Sequence, residues 1–195
     1  MSLPHALLTA LVERPSSGSD LAARFDKTIG YFWRATHQQI YRELARLEEA
    51  GLIQSLPEET TRGRKRAYKI LPTGRKELKR WIALNEDPPF LRDDLMVRLW
   101  AEAAVGPTKL DKEIERRLKL HTERLETYRK YEARDYGGDD HPRDVALRYL
   151  VLRCGIRYES YWIQAATEAL EILKADKPCK PDKGATAAKK RPTGK

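Results

Sequence analysis

The stretch 33-WRATHQQIYRELARLEEAGLIQS-55, with its continuation 62-RGRKRAYKILPTG-74, decides how this chain folds. Thr36-His37-Gln38-Gln39 has the form of a capping box. The Thr36 hydroxyl can accept the Gln39 amide N–H while the Gln39 side chain reaches back, so a helix is predicted to open there. Ile40, Leu44 and Leu47 recur at i, i+4 and i+7 and commit one face to a core, and Gly51 after Glu48-Glu49-Ala50 supplies a left-handed stop. The opposite face carries Gln38, Tyr41, Arg42, Ala45 and Arg46. Its polar members suit base edges or phosphates, and the small Ala45 permits close approach.

After Gly51 the period becomes strand-like in Leu52-Ile53-Gln54-Ser55-Leu56, breaks at Pro57, and resumes in Ala67-Tyr68-Lys69-Ile70-Leu71. Such a pattern predicts a two-stranded hairpin. Its connection, Glu58 to Arg66, places Arg62, Arg64, Lys65 and Arg66 around Gly63, a basic tip that suits phosphates or a groove. Upstream, Leu3, Leu7, Ala10 and Leu11 predict a first helix ended by Arg14-Pro15-Ser16-Ser17-Gly18, and Ser19 a cap for a second helix carrying Leu21, Ala22 and Phe25. Three helices and a hairpin spell a winged helix-turn-helix. The edge of an α/β fold is the competing arrangement, but no repeated βαβ spacing follows.

The formal charge of +9 is unevenly spread: residues 1–85 carry +6, residues 86–175 carry −2, and residues 176–195 carry +5. A basic front and a basic tail flank a near-neutral middle, so polyanion affinity is a local property. Cys154 and Cys179 indicate neither a disulfide framework nor a metal cluster. The start lacks a charged leader region and no run of about eighteen apolar residues occurs, which points to a cytoplasmic protein with no membrane segment.

The second half reads as helical throughout. Thr73 is expected to cap a helix with Leu78, Trp81 and Ile82, and Asn85-Glu86-Asp87-Pro88-Pro89 reads as a linker. Leu91, Leu95, Leu99 and Trp100 mark a short helix. Thr108 and Asp111 then resemble a capping box for a long one, in which Ile114, Leu118, His121, Leu125 and Tyr128 alternate steps of four and three. A turn at residues 135–140 precedes a last helix with Val145, Tyr149, Leu152, Ile156, Ile163, Ala166, Leu170 and Leu173. Two helices of this length favour assembly with a second chain, so Ile114, Leu118, His121, Leu125, Tyr128, Tyr149, Leu152 and Ile156 are expected at a dimer interface, with an intrachain hairpin as the alternative. Trp100, Tyr158, Tyr161 and Trp162 are candidates to wall a pocket for a flat effector such as an aromatic small molecule, against the plainer reading that they pack a core. From Asp176 onward the composition predicts a disordered basic tail.

Catalysis finds no support. His5, His37, His121 and His141 lie in no recognisable motif, and no HExxH, CxxC, glycine-rich phosphate loop or GxSxG pattern occurs. No metal site, cofactor or catalytic residue is expected.

The pattern Trp33-(x3)-His37-Gln38-x-Ile40-Tyr41-Arg42-x-Leu44-x-x-Leu47-Glu48-x-x-Gly51-Leu52-Ile53, followed by Gly63-Arg64-x-Arg66-x-Tyr68-x-Ile70 and Thr73-Gly74, resembles the PadR family of bacterial transcriptional regulators, in the subgroup with a long helical C-terminal domain. The resemblance spans residues 3–175. It implies a homodimeric, usually repressing, regulator that binds a roughly palindromic operator and releases it when a small molecule binds. On that reading Thr36, Gln38, Gln39, Tyr41 and Arg42 lie in the recognition part and Arg62, Arg64, Lys65 and Arg66 in the wing. Leu71-Pro72-Thr73-Gly74 departs slightly from the family's usual entry to the post-wing helix. The resulting expectation is a mainly α protein: a winged helix-turn-helix DNA-binding domain (1–85), a helical dimerisation and effector domain (86–175) and the tail (176–195). The competing function is a DNA-architectural protein that binds through its tail with little sequence preference.

Overall fold

A computed structural model describes residues 3–27, 35–57, 66–88, 92–138 and 140–175, so the basic tail expected from residue 176 onward lies outside the described residues. The chain divides into two compact units, Met1–Phe90 and Leu91–Lys195. The first holds α1 (Leu3–Glu13), β1 (Ser16–Ser17), α2 (Gly18–Lys27), α3 (His37–Glu49), β2 (Ile53–Ser55), β3 (Ala67–Ile70) and α4 (Pro72–Ile82). The second holds α5 (Asp94–Val105), α6 (Leu110–Asp135) and α7 (Arg143–Lys174). The fold is mainly helical, with one small antiparallel sheet.

In the first unit Leu7, Leu8 and Leu11 of α1, Leu21, Ala22 and Phe25 of α2, and Ile40, Leu44 and Leu47 of α3 form one core with Ile53 and Tyr68. Truncating any of these leucines to Ala is expected to cost about 2–5 kcal/mol. The hairpin pairs as predicted, Ile53 with Ile70 and Ser55 with Tyr68. The sheet, however, has a third strand: Ser16 and Ser17 pair with Tyr68 and Ala67, giving the order β1-β3-β2. Two serines carry no strand periodicity, and only the return of β3 beside them supplies their partner. Ser17 also takes the capping role expected of Ser19, accepting the Asp20 N–H at 3.1 Å.

Gly51 adopts φ 66° and ends α3 as expected. Thr73 does not cap α4. Helix α4 starts on Pro72 with no side-chain cap, while the Thr73 hydroxyl donates to the Gly51 carbonyl. Gly74 lies so close to the Leu52 carbonyl that a Cβ there would clash. The post-wing helix is thus seated on the backbone that follows α3. His5 of α1 stacks on Trp81 of α4 with ring centroids 4.4 Å apart and donates from Nε2 to Glu77 at 3.3 Å.

In the second unit α6 and α7 form an antiparallel hairpin. Ile114, Leu110, Trp162, Ala166, Ala169 and Leu170 bury one end with Leu95 of α5. Towards the turn Tyr128 and Ile156 are buried, and the Tyr149 hydroxyl donates to Glu132 at 2.9 Å. Between them His121 Nδ1 donates to the buried Glu159 carboxylate at 2.5 Å, and the His121 ring stacks on Trp162.

This geometry gives the residues of the expected dimer seam partners within one chain. Ile114, Tyr128, Leu152 and Ile156 are already buried within one chain, and Leu118, His121, Leu125 and Tyr149 are partly buried with them. The 4-3 spacing marks an interhelical contact but does not say whether the partner helix belongs to the same chain; a short turn makes α7 the nearest partner. Thr108 is likewise not the cap of α6. Its N–H and hydroxyl donate to Glu102 at 2.6 and 2.5 Å, closing the α5–α6 turn instead.

Candidate nucleic-acid interface

The exposed face of α3 is built by its start. The capping box forms in full: Gln39 N–H donates to Thr36 Oγ1 at 3.2 Å, and Thr36 N–H donates to Gln39 Oε1 at 2.8 Å. Thr36 and Gln39 are therefore engaged with each other, although both remain open to solvent on one side. With the helix start locked and Ile40, Leu44 and Leu47 buried, Gln38, Tyr41, Arg42, Ala45 and Arg46 stand exposed together on the other face.

These side chains differ in freedom. Arg46 pairs with Glu43 at 3.6 Å, whereas Arg42 has no carboxylate partner among the described residues. The Tyr41 ring lies over Gly18, where a Cβ would collide with it. The first residue of α2 must therefore be glycine for Tyr41 to hold its place beside the exposed face. Gly18 was legible in the sequence only as part of a turn.

At the wing's base Arg66 is not a free cation. Its guanidinium donates to Glu48 Oε2 at 2.8 Å and to Ser55 Oγ at 3.1 Å, and lies 5.6 Å from the Tyr68 ring centroid. The other oxygen of Glu48 accepts the Ser55 N–H at 2.8 Å. Hydrogen bonds from the Ser55 side chain and N–H, with the Arg66 charge, hold the Glu48 carboxyl below its ordinary pKa, and burial pushes the Tyr68 phenol up. Glu48, which in the sequence marks only a helix end, organises the junction between α3 and both strands. The other wing cations, Arg62, Arg64 and Lys65, lie outside the described residues.

The aromatic candidates of the second unit do not form a common wall. Trp162 is 3% exposed and belongs to the core. Tyr158 and Tyr161 flank it edge-on but are half exposed, and Trp100 on α5 is 81% exposed. None of the four lines the cleft of about 700 Å³ at the turn end of the α6–α7 hairpin. Their spacing marked an apolar face, and only burial shows that Trp162 fills the core while the others face outward. No group of histidine, cysteine and carboxylate side chains fit to hold a metal occurs among the described residues. Nor is any described helix long and apolar enough to cross a membrane.

The same architecture recurs in known proteins. Residues 7–80 match the transcriptional regulator PadR-like family, and residues 91–174 match the family described as virulence activator alpha C-term. A probable transcriptional regulator of Mycobacterium tuberculosis is 38% identical over 186 residues, covering 88% of this chain and 98% of the relative. The structure of the Vibrio cholerae virulence activator AphA is 31% identical, with a TM-score of 0.75 over 89% of this chain and 99% of that one. The negative transcriptional regulator PadR of Bacillus subtilis is 31% identical over 100 residues, 50% of this chain and 55% of the relative. Its crystal structures with operator DNA and with p-coumaric acid share the fold, with TM-scores of 0.75 and 0.69 at 23% identity, over 87% and 89% of this chain and 97% and 99% of those chains. With a capped α3, a three-stranded wing base and a long helical hairpin matched along nearly its whole described length, the chain belongs to the PadR-like family of transcriptional regulators and is not an enzyme.

Proposed function

We propose that this protein is a homodimeric, ligand-responsive repressor that binds an inverted-repeat operator through α3 and the 58–66 wing. The observation that carries the reading is the exposed face of α3, where Gln38, Tyr41 and Arg42 stand together on a helix whose start and opposite face are locked. Gln and Arg are suited to adenine and guanine edges in the major groove, and the wing cations to phosphates or the minor groove. The Bacillus PadR crystallised with operator DNA and with p-coumaric acid supports the DNA and effector parts of the reading, and its description as a negative regulator supports repression.

The dimer contact belongs on a different face of α7 from the one expected. Leu147, Val151, Cys154, Tyr158 and Tyr161 recur in steps of four and three, and all five are exposed. Ile172 continues the spacing towards the helix end. An apolar stripe of this length on one helix suits a second copy of the chain.

The test is selection of duplexes from a random pool by the full-length protein, followed by binding to the selected and scrambled duplexes at one salt concentration. An inverted repeat with half-sites about one helical turn apart, or a multiple of it, is expected. Equal affinity for selected and scrambled duplexes would instead establish the architectural reading.

A further inference from the structure

The cleft at the turn end of the α6–α7 hairpin has no role in the reading of α3 and the wing, yet its lining has a definite chemistry. Arg129 and Glu132 come from α6, His141 from the turn, and Tyr149, Arg153 and Arg157 from α7. Glu132 is already satisfied: it pairs with Arg129 at 2.7 Å and accepts the Tyr149 hydroxyl, which together hold its pKa down. Arg153 and Arg157, one helical turn apart and so on one face of α7, make no ion pair among the described residues. Arg153 reaches Glu132 only at longer range, and its guanidinium lies over the Tyr149 ring at 5.5 Å.

A third polar group is also unmatched. His141 packs edge-on against Tyr136 and Tyr149, and its Nε2 is buried with no hydrogen-bond partner. Asp140 is the remaining acidic group of the lining and is exposed. Ala146, Leu150 and Ile156 supply apolar wall between the charges. A cleft of about 700 Å³ has the size of a small-molecule site, and its unmatched donors call for an oxyanion.

We propose that this cleft binds a small organic anion, its carboxylate or phosphate held by Arg153 and Arg157 beside His141 and its apolar body lying against Ala146, Leu150 and Tyr149. The site deepens the ligand-responsive part of the function proposed above and rests on it only for any effect on DNA. Occupancy is therefore measured with no DNA present, so that failure of the cleft and failure of operator binding are read separately.

The experiment titrates benzoate, phenyl phosphate and the neutral benzamide into full-length protein, with saturation-transfer NMR as the readout at constant ionic strength. Benzoate and phenyl phosphate share one apolar body and differ in head, so the tighter of the two identifies the anion. Saturable binding of at least one is expected, with benzamide not binding. The doubly substituted Arg153→Gln/Arg157→Gln protein should lose affinity by about tenfold or more. His141→Phe, which keeps the ring, should lose it several-fold. Arg148→Gln removes the same charge from an exposed pair with Asp144 on the same helix and should bind as the unsubstituted protein does. Absence of saturable binding, equal binding of benzamide, unchanged affinity in the double variant, or an equal loss in Arg148→Gln would each overturn the site.

Discussion

Glu48 and Arg66 lie eighteen residues apart in sequence and 2.8 Å apart in the fold, and this one pair joins the end of α3 to the base of the wing. Because Glu48 also accepts the Ser55 N–H, the pair fixes both strands relative to the helix. Glu48→Gln should therefore lower stability by about 1 kcal/mol, a charged hydrogen-bond contribution reduced for partial exposure. The pH dependence follows from the direction of the shift. The folded Glu48 carboxyl titrates below its ordinary value of 4.5, so its contribution is complete above that pH and is lost as pH falls through the depressed folded value. Urea unfolding at about pH 7 and about pH 3.5 checks this. The difference between wild type and Glu48→Gln should be present at the first pH and shrink at the second.

Specificity and helix capping should separate within a single turn of α3. Gln38→Ala and Arg42→Ala are expected to erode preference for operator over scrambled duplex by about 1–3 kcal/mol each while leaving folding intact. Thr36→Ala, which removes the cap, should cost about 1 kcal/mol of stability and weaken both duplexes through the misplaced helix start. Thermal unfolding combined with fluorescence anisotropy on the two DNAs tells these effects apart. Equal losses on both duplexes for Gln38→Ala and Arg42→Ala would mean that these residues touch phosphates.

The wing should contribute charge. Replacing Arg64 and Lys65 with Ala is expected to weaken operator and random duplex alike and to flatten the salt dependence by about one unit for each phosphate no longer neutralised. Binding isotherms across a salt series measure the slope. A fall in affinity with an unchanged slope would contradict the electrostatic role.

The two faces of α7 should answer differently to substitution. Val151→Glu with Tyr158→Glu places charge on the exposed stripe and is expected to yield a folded monomer by sedimentation equilibrium, with helical circular dichroism retained. Leu152→Ala acts on the buried face and should cost about 2–5 kcal/mol of hairpin stability. A Val151→Glu/Tyr158→Glu protein that sediments as a dimer would remove this stripe from the interface.

The ion cluster at the start of α6 gives a further pH test. Hydrogen bonds from Arg116 and then Arg117 pull the Glu113 carboxyl down to about 2. The stability it contributes is thus complete above the ordinary value of 4.5 and disappears as pH falls towards about 2. Acid unfolding of Glu113→Gln, followed by circular dichroism, should show a shallower dependence over that window than wild type.

The features legible in the sequence alone are those whose forces act within about a helical turn or across one tight hairpin. The capping box at Thr36 and Gln39, the left-handed stop at Gly51, the buried stripe of Ile40, Leu44 and Leu47, and the pairing of Ile53 with Ile70 each depend on neighbours a few residues away or on a simple period. Tertiary structure alone decided where competing local options went. Thr73 and Thr108 had the chemistry of helix caps, but Gly51 and Glu102 came within reach and took their hydroxyls. Ser16 and Ser17 became a strand only because β3 returned beside them. Helix α7 shows the limit most clearly. It carries two apolar stripes in the same 4-3 rhythm, one through Leu152 and Ile156 and one through Val151 and Tyr158. Periodicity establishes that both faces are apolar, but which one is buried within the chain depends on the short turn that lays α6 against the first and leaves the second open.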